Sequence, residues 1–244
     1  MKISQANTIG EEIAVCIRDG DVDSACALIE PIFQERIPFS SLDRIGVIIG
    51  KCSLETVNLF LTRIADGKTM GGWVVIGSAL GEQLDRDFSG AFMRGRDYII
   101  AGDAWYTADI LGERVPGPGL INSFDHGMAS LNPWRIHHNR WVRRTVGVSA
   151  HYWAKKSKGA EKYTSSAEEL LKFLTPMFCE WNMDAAKGIG WGIKTLGKYY
   201  PQLVTAWLVD LLRNPQIHYR ALMLRKATTY LQEAQKEQVK SVVK

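Results

Sequence analysis

Lys187-Gly-Ile-Gly-Trp191-Gly-Ile-Lys194-Thr-Leu-Gly-Lys198 is the stretch on which the reading of this chain turns. At 100° per residue a helix gathers Lys187, Trp191, Lys194 and Lys198 into one narrow stripe. Its other side collects Ile189, Ile193, Leu196 and Tyr200, an apolar face suited to burial. The pattern predicts an amphipathic helix with a tryptophan held among lysines on the side away from the core. Lysines track phosphates, and an indole offers a π-surface to a base. A tryptophan bent back into the core, or a lone exposed aromatic, would give the same local pattern. Repetition of the pattern on other helices separates these readings.

Helical patterning extends in both directions from this stretch. Residues 10–19, 21–34, 40–50, 54–66, 71–84 and 89–101 read as helices joined by short polar turns. Asp21 and Ser53 are placed as N-caps, and Ser41-Leu-Asp-Arg marks a first turn. The two β-like runs, Val47-Ile-Ile49 and Trp73-Val-Val-Ile76, sit inside helical patterns. A helix over 96–111 is followed by a loop at Val115-Pro-Gly-Pro-Gly119. Asn132-Pro133 opens a helix running to about Lys155, and residues 156–163 form a polar, basic loop. Ser166 and Glu169 have capping-box spacing for a helix that ends near Glu180. Helices over 183–199, 202–212 and 217–239 complete the chain, divided by Pro201 and Asn214-Pro215. Helix pairs recur at a period of about 40 residues. The expected fold is all-α, an α-α superhelix of HEAT-like repeats forming a single domain over residues 1–244, with a concave basic face lined by one helix of each pair.

Composition narrows the partners. A chain of 244 residues that is 46% hydrophobic and 23% charged is an ordinary globular protein able to bury a core. No apolar run approaches the ~18–20 residues that span a bilayer. The N-terminal segment lacks the apolar block of a signal peptide. Cys16, Cys26, Cys52 and Cys179 are scattered, which fits neither a disulfide framework nor a zinc site and suits a reducing cytosol. Net charge is +4, but residues 1–122 hold 11 Lys/Arg against 17 Asp/Glu and residues 123–244 hold 19 against 9. A basic half facing a polyanion is expected, with nucleic acid ahead of an anionic membrane surface.

Two further helices carry chemistry. In the one expected after Asn132, His137, Arg140, Arg144, His151 and Lys155 share a face flanked by Trp141, opposite Val142, Val146, Ala150 and Trp153. The guanidinium groups of Arg143 and Arg144 can fork onto phosphate oxygens. A solvated face paired with carboxylates is the alternative, and residues 126–160 contain no Asp or Glu to pair with. In the second helix, Trp105 and Asp109 stand at i and i+4. An indole beside a carboxylate can hold a flat cation and stabilise positive charge or orient a water. Trp105, Arg144 and Trp191 follow one another at 39 and 47 residues, a repeat-like spacing that would turn all three toward one concavity. His137 and His138 point in different directions on a helix and make no metal set. The glycines at 188–192 lack the preceding strand of a phosphate loop and read as close helix contacts or as room for DNA.

With these blocks in view, the sequence resembles the AlkD-like DNA alkylation-repair glycosylases, an all-helical HEAT-like family. The resemblance is carried by Ala104-Trp105-Tyr-Thr-Ala-Asp109, Trp141-Val-Arg-Arg144-Thr145 and Lys187-Gly-Ile-Gly-Trp191-Gly-Ile-Lys194, and it runs from about Gly71 to Thr229. It implies that Asp109 is the catalytic carboxylate, that Trp105 and Trp191 wall the damaged nucleotide, and that Arg144 touches the nearby DNA backbone. The implied reaction is hydrolysis of the N-glycosidic bond of a cationic N3- or N7-alkylated purine, without a deep base-flipping pocket. Arg140, Arg143, Lys187, Lys194 and Lys198 are expected on DNA phosphates. No metal or other cofactor is expected. The expected partner is double-stranded DNA with alkylated bases, bound by a monomer in the cytoplasm at the nucleoid. This chain has Tyr106-Thr107 where the family often has an aromatic or acidic residue, and Lys194 where Arg is common. Some relatives of the fold bind DNA without excising bases, so a non-catalytic protein for bent or branched DNA is the second reading and a protein-interaction solenoid the third.

Overall fold

The computed structural model describes residues 1–243, and every regular element among them is helical. Its contacts divide it into two compact units, Met1–Val115 and Pro116–Lys244. The first holds α1 (Ile3–Arg18), α2 (Val22–Phe33), α3 (Phe39–Gly50), α4 (Leu54–Asp66), α5 (Met70–Gln83), α6 (Phe88–Gly102) and α7 (Trp105–Arg114). The second holds α8 (Pro116–Asn122), α9 (Phe124–Leu131), α10 (Arg140–Ser157), α11 (Thr164–Leu174), α12 (Met183–Tyr199), α13 (Pro201–Arg213), α14 (Ala221–Ala227) and α15 (Glu233–Lys240). No helix among the described residues is long and apolar enough to cross a membrane.

Each unit is built as two layers of alternate helices, the packing expected of helical repeats. In the first, α1, α3, α5 and α7 pack in succession and α2 packs on α4 beside them. In the second, α8, α10, α12 and α14 form one row and α11, α13 and α15 the other. Helix α5 shows why the layers hold. Trp73, Val74, Val75, Ile76, Ala79 and Leu80 are all fully buried, so α5 is apolar nearly all round and lies between neighbours on both sides. The charge asymmetry follows the same division. Residues 116–122 carry no charge, so the acidic half of the sequence is the first unit and the basic half the second.

Asp21 and Ser53 cap α2 and α4 as expected, accepting from the backbone N–H groups of Ser24 and Thr56. Five local expectations are corrected. Residues 115–119 do not form a loop, because Pro116 and Pro118 fall in the first turn of α8, where N–H groups have no intrahelical acceptor and proline costs nothing. The helix expected from Asn132 begins at Arg140 instead. Residues Asn132–Ile136 make a 3-10 turn that buries Trp134, and Asn139 is the true cap, accepting from Trp141 and Val142 N–H. The stretch 96–111 is broken at Asp103, which is left-handed at φ 40° and ends α6. The expected helix over 217–239 is two, α14 and α15, since Thr228 and Thr229 turn their hydroxyls onto the carbonyls of Leu224 and Arg225 and Leu231 is drawn into the core. Ser166 lies inside α11, which starts at Thr164 without a side-chain cap.

Candidate nucleic-acid interface

In the first unit the break at Asp103 makes Trp105 the first residue of α7, with Ala104 extended before it. Thr107, Ala108, Ile110 and Leu111 form the buried side of this helix. Trp105 is 56% exposed, Asp109 is half-buried one turn further on, and Tyr106 meets the Trp105 ring edge-on at 5.9 Å. The far end of α7 is anchored. Arg114 donates to both carboxylate oxygens of Asp43 on α3, at 2.7 and 3.2 Å, and Ser78 of α5 donates to the same group at 2.7 Å. An exposed indole and a carboxylate thus share one face of a helix that is fixed at its other end.

In the second unit α10 and α12 meet at glycines. A β-carbon on Gly147 would fall within the backbone of Gly188 and Ile189, and one on Gly188 would stand 2.5 Å from the Arg144 Cγ. The glycines of the 188–192 run therefore make the close helix contact. This contact turns inward two side chains that the helical wheel placed toward solvent. Arg144 and His151 are both only 8% exposed. Arg144 Nη1 donates to the carbonyl of Asp184 at 2.9 Å, holding its guanidinium at the first turn of α12. Arg140 pairs with the Asp184 carboxylate at 3.3 Å and lies over the Trp141 ring, itself buried.

Arg143, expected on phosphate, works inside the protein. It grips Glu180 through Nε at 2.6 Å and Nη2 at 3.3 Å, and its Nη1 donates to the carbonyls of His137 and His138. The absence of acids near residues 126–160 was a poor guide, because Glu180 and Asp184 arrive from the approach to α12 and its first turn. His137 and His138 precede α10 and stack on each other at 4.3 Å.

Trp191 is half-buried, Lys187 and Lys198 are exposed, and Ile189, Ile193 and Leu196 are fully buried, so the two faces read in the sequence are those of α12. One face of the Trp191 indole is covered by the His151 imidazole, with ring centroids 3.8 Å apart and planes 24° from parallel. Thr195 donates its hydroxyl proton to the Trp191 carbonyl at 3.0 Å, which leaves its oxygen to accept from His151 Nδ1 at 2.7 Å. Burial, with a smaller push from Lys155, lowers the His151 pKa to about 4, so the imidazole is neutral at neutral pH. A neutral ring locked by a hydrogen bond thus fixes the indole in one orientation. Lys194 and Lys198 lie over the Tyr230 ring at 5.1 and 5.7 Å.

The sequence reading missed Arg225 and Lys226 on α14, whose cations crowd this surface, because it merged α14 and α15 into one long helix. It also gave His151 the role of a solvent-facing base; the signal for its true place was Thr195, four residues from Trp191 and able to bond a ring nitrogen. The structure puts Trp105 and Asp109 on α7 of the first unit, and Arg144, Trp191 and the lysines on α10 and α12 of the second.

Comparison with protein families gives a match over most of the chain. The model of the family described as DNA alkylation repair enzyme covers residues 75–231, from within α5 to just beyond α14. Comparison with curated proteins and with solved structures found no match.

Proposed function

Because the chain belongs to the DNA alkylation repair enzyme family, we propose that it is a DNA glycosylase that hydrolyses the N-glycosidic bond of cationic N3- or N7-alkylated purines in duplex DNA. The observation that carries the reading is the pairing of exposed Trp105 with half-buried Asp109 one turn apart on α7. An alkylated purine already bears positive charge and leaves readily, so little acid catalysis is required. The demand is for stabilisation of an oxocarbenium-like sugar and for a placed water. Asp109 supplies the negative charge and orients the water. The indoles of Trp105 and Trp191 favour cationic base and sugar through their faces. Arg144, Arg140, Lys187, Lys194 and Lys198 hold the backbone. The reaction calls on no metal, and the protein acts as a monomer on cytoplasmic DNA.

The test is base release from methylated duplex. Purified protein is expected to liberate N7-methylguanine or N3-methyladenine without added metal. Asp109→Asn is expected to lower release by at least about a thousandfold while duplex binding persists. Release by that variant at the parental rate would remove Asp109 from the mechanism. Tight binding by the parent with no release would establish the non-catalytic DNA-binding reading instead.

A further inference from the structure

The loop after α10 is folded onto the ends of two helices. Lys158 and Gly159 are both left-handed, at φ 51° and 74°, and turn the chain sharply back where α10 ends. Gly159 then lies on the end of α12, where a β-carbon would stand 2.6 Å from the Tyr199 carbonyl oxygen. Tyr163 meets the buried Trp153 ring of α10 edge-on at 6.0 Å, and Trp153 stacks on Tyr200 at 6.1 Å. The last turns of α10 and α12 and this loop therefore form one surface. Its lysines are Lys155, Lys156, Lys158, Lys162 and Lys198, all exposed. Three of them lie over tyrosine rings, Lys156 over Tyr152 at 5.4 Å, Lys162 over Tyr163 at 4.8 Å and Lys198 over Tyr199 at 5.3 Å, which restrains their ammonium groups. Among the described residues no carboxylate pairs with any of the five. Glu161 is the only acid within residues 155–163, so the loop and the turn before it keep a net positive charge.

We propose that these five lysines grip the backbone of duplex DNA past Trp191, toward the C-terminal end of α12. The inference rests on the reading of this unit as DNA-binding and extends its interface to the loop between α10 and α11. Lysines in the last turn of a helix also offset its dipole, which would account for Lys155, Lys156 and Lys198 one by one. It does not account for Lys162, which belongs to neither helix, or for the stripe that continues back along α12 to Lys194 and Lys187. Lys187 and Lys198 are about 16 Å apart along the helix axis, roughly five phosphates of one DNA strand. A row of cations on that scale, widened at one end by a loop of lysines, suits a polymer of phosphates better than an isolated anion. Ammonium groups on long stems act as point charges on phosphates and do not read bases, so the grip is independent of sequence.

The test uses full-length protein and unmodified duplex, so it does not depend on excision. The loop variant combines Lys156→Gln, Lys158→Asn and Lys162→Gln, asparagine being chosen because it tolerates the left-handed backbone. A control variant removes the same charge from exposed lysines elsewhere, by Lys51→Gln, Lys68→Asn and Lys172→Gln, with Lys68 also left-handed at φ 46°. The plot of log affinity against log salt is expected to be shallower for the loop variant than for the parent by about three. At moderate salt its affinity is expected to fall at least about tenfold, equally for all duplex sequences. The control variant is expected to keep the parental slope, and both variants to melt within about 3 °C of the parent. If the loop variant and the parent give coincident salt plots, the proposal fails, whatever the excision assay gives. If loop and control variants lose slope equally, net charge is responsible and the proposal fails as well. If the parent excises nothing while only the loop variant loses slope, the glycosylase reading fails and the loop contact stands. A further arm measures sedimentation with vesicles of phosphatidylglycerol and phosphatidylcholine. Vesicle binding by the parent that the loop variant has lost, with coincident duplex plots, would assign the loop to an anionic membrane and overturn the DNA assignment.

Discussion

In the first unit α3 reaches α5 through Gly46 and Gly50, where added β-carbons would stand 2.6 Å from the Val75 carbonyl and 2.7 Å from the Ala79 carbonyl. In the second, α10 reaches α12 through Gly147, Gly188 and Gly192. The device is the same, and its use differs. Around α5 the close approach seals an apolar interior of Trp73, Val74, Val75 and Ile76. Between α10 and α12 it holds Arg144 and His151 among backbone carbonyls and a threonine, beside a half-buried tryptophan. A glycine contact in this chain is therefore a way of fixing helices, and the side chains around it decide whether the junction is a core or a surface for a ligand. The charge division repeats the lesson. The acidic unit pairs Asp43 with Arg114 at its own helix contact, whereas in the basic unit Arg140 and Arg143 pair with Asp184 and Glu180, which come from α12 and the turn before it.

The largest expected effect breaks both junctions alike. Gly147→Val places methyl groups where the backbone of Gly188 and Ile189 already lies, and no flexible side chain can move aside. The expected cost exceeds about 4 kcal/mol, a fall in melting temperature of more than about 8 °C by calorimetry. Gly46→Val should cost a similar amount in the first unit. A mild effect at Gly147 beside a severe one at Gly46 would mean that the α10–α12 junction can open, and that its polar residues are less fixed than the geometry states.

A smaller effect separates the two junctions. All five histidines lie in the second unit. The folded pKa of His151, about 4, is below the unfolded value near 6.5, so the unfolded chain binds more protons between these limits. The contribution of neutral His151 to stability is fully present above pH 6.5 and is lost as pH falls toward 4, about 3 kcal/mol across the window. His151→Phe retains a ring against Trp191 and removes this titration. Denaturant titrations from pH 7 to pH 4 should show a shallower loss of stability in the variant. Parallel curves would mean that His151 takes up its proton equally in the folded and unfolded chain, and that burial against Trp191 does not hold it neutral. Excision by His151→Phe at pH 7 should stay close to parental if orientation of the indole is what the stack provides.

These elements also show what a sequence discloses. The faces of α12 were legible because 3.6-residue periodicity is a property of one helix, and Met183–Tyr199 was bounded correctly from it. Trp105 and Asp109 stayed neighbours because i,i+4 proximity survives a shift of the helix start to Trp105. Arg143 and His151 were misplaced because their surroundings come from α12 and the turn before it, about 37 and 44 residues away, and no pattern within α10 encodes them. The proline-rich start of α8 was misread because proline breaks a helix interior but not a first turn.

The smallest effect tests the same distinction at two caps. Ser166 reads as an N-cap in the sequence, and Asn182 stands directly before the helix expected from Met183. In the structure Asn182 accepts from the N–H groups of Asp184 and Ala185 at 3.0 and 3.2 Å and starts α12, whereas Ser166 sits within α11 with no capping bond. Asn182→Ala therefore leaves two N–H donors without their acceptor at the turn that Arg144 and Arg140 hold, and should cost about 1 kcal/mol. Ser166→Ala should change stability by no more than about 0.5 kcal/mol, since surface exchanges away from such features are near neutral. Because Asn182 lies where α12 meets α10, its loss should also weaken duplex binding, whereas Ser166→Ala should leave binding untouched. Equal binding by the two variants would show that the first turn of α12 contributes nothing to holding DNA, and would confine the interface to the face carrying Lys187, Trp191 and Lys194.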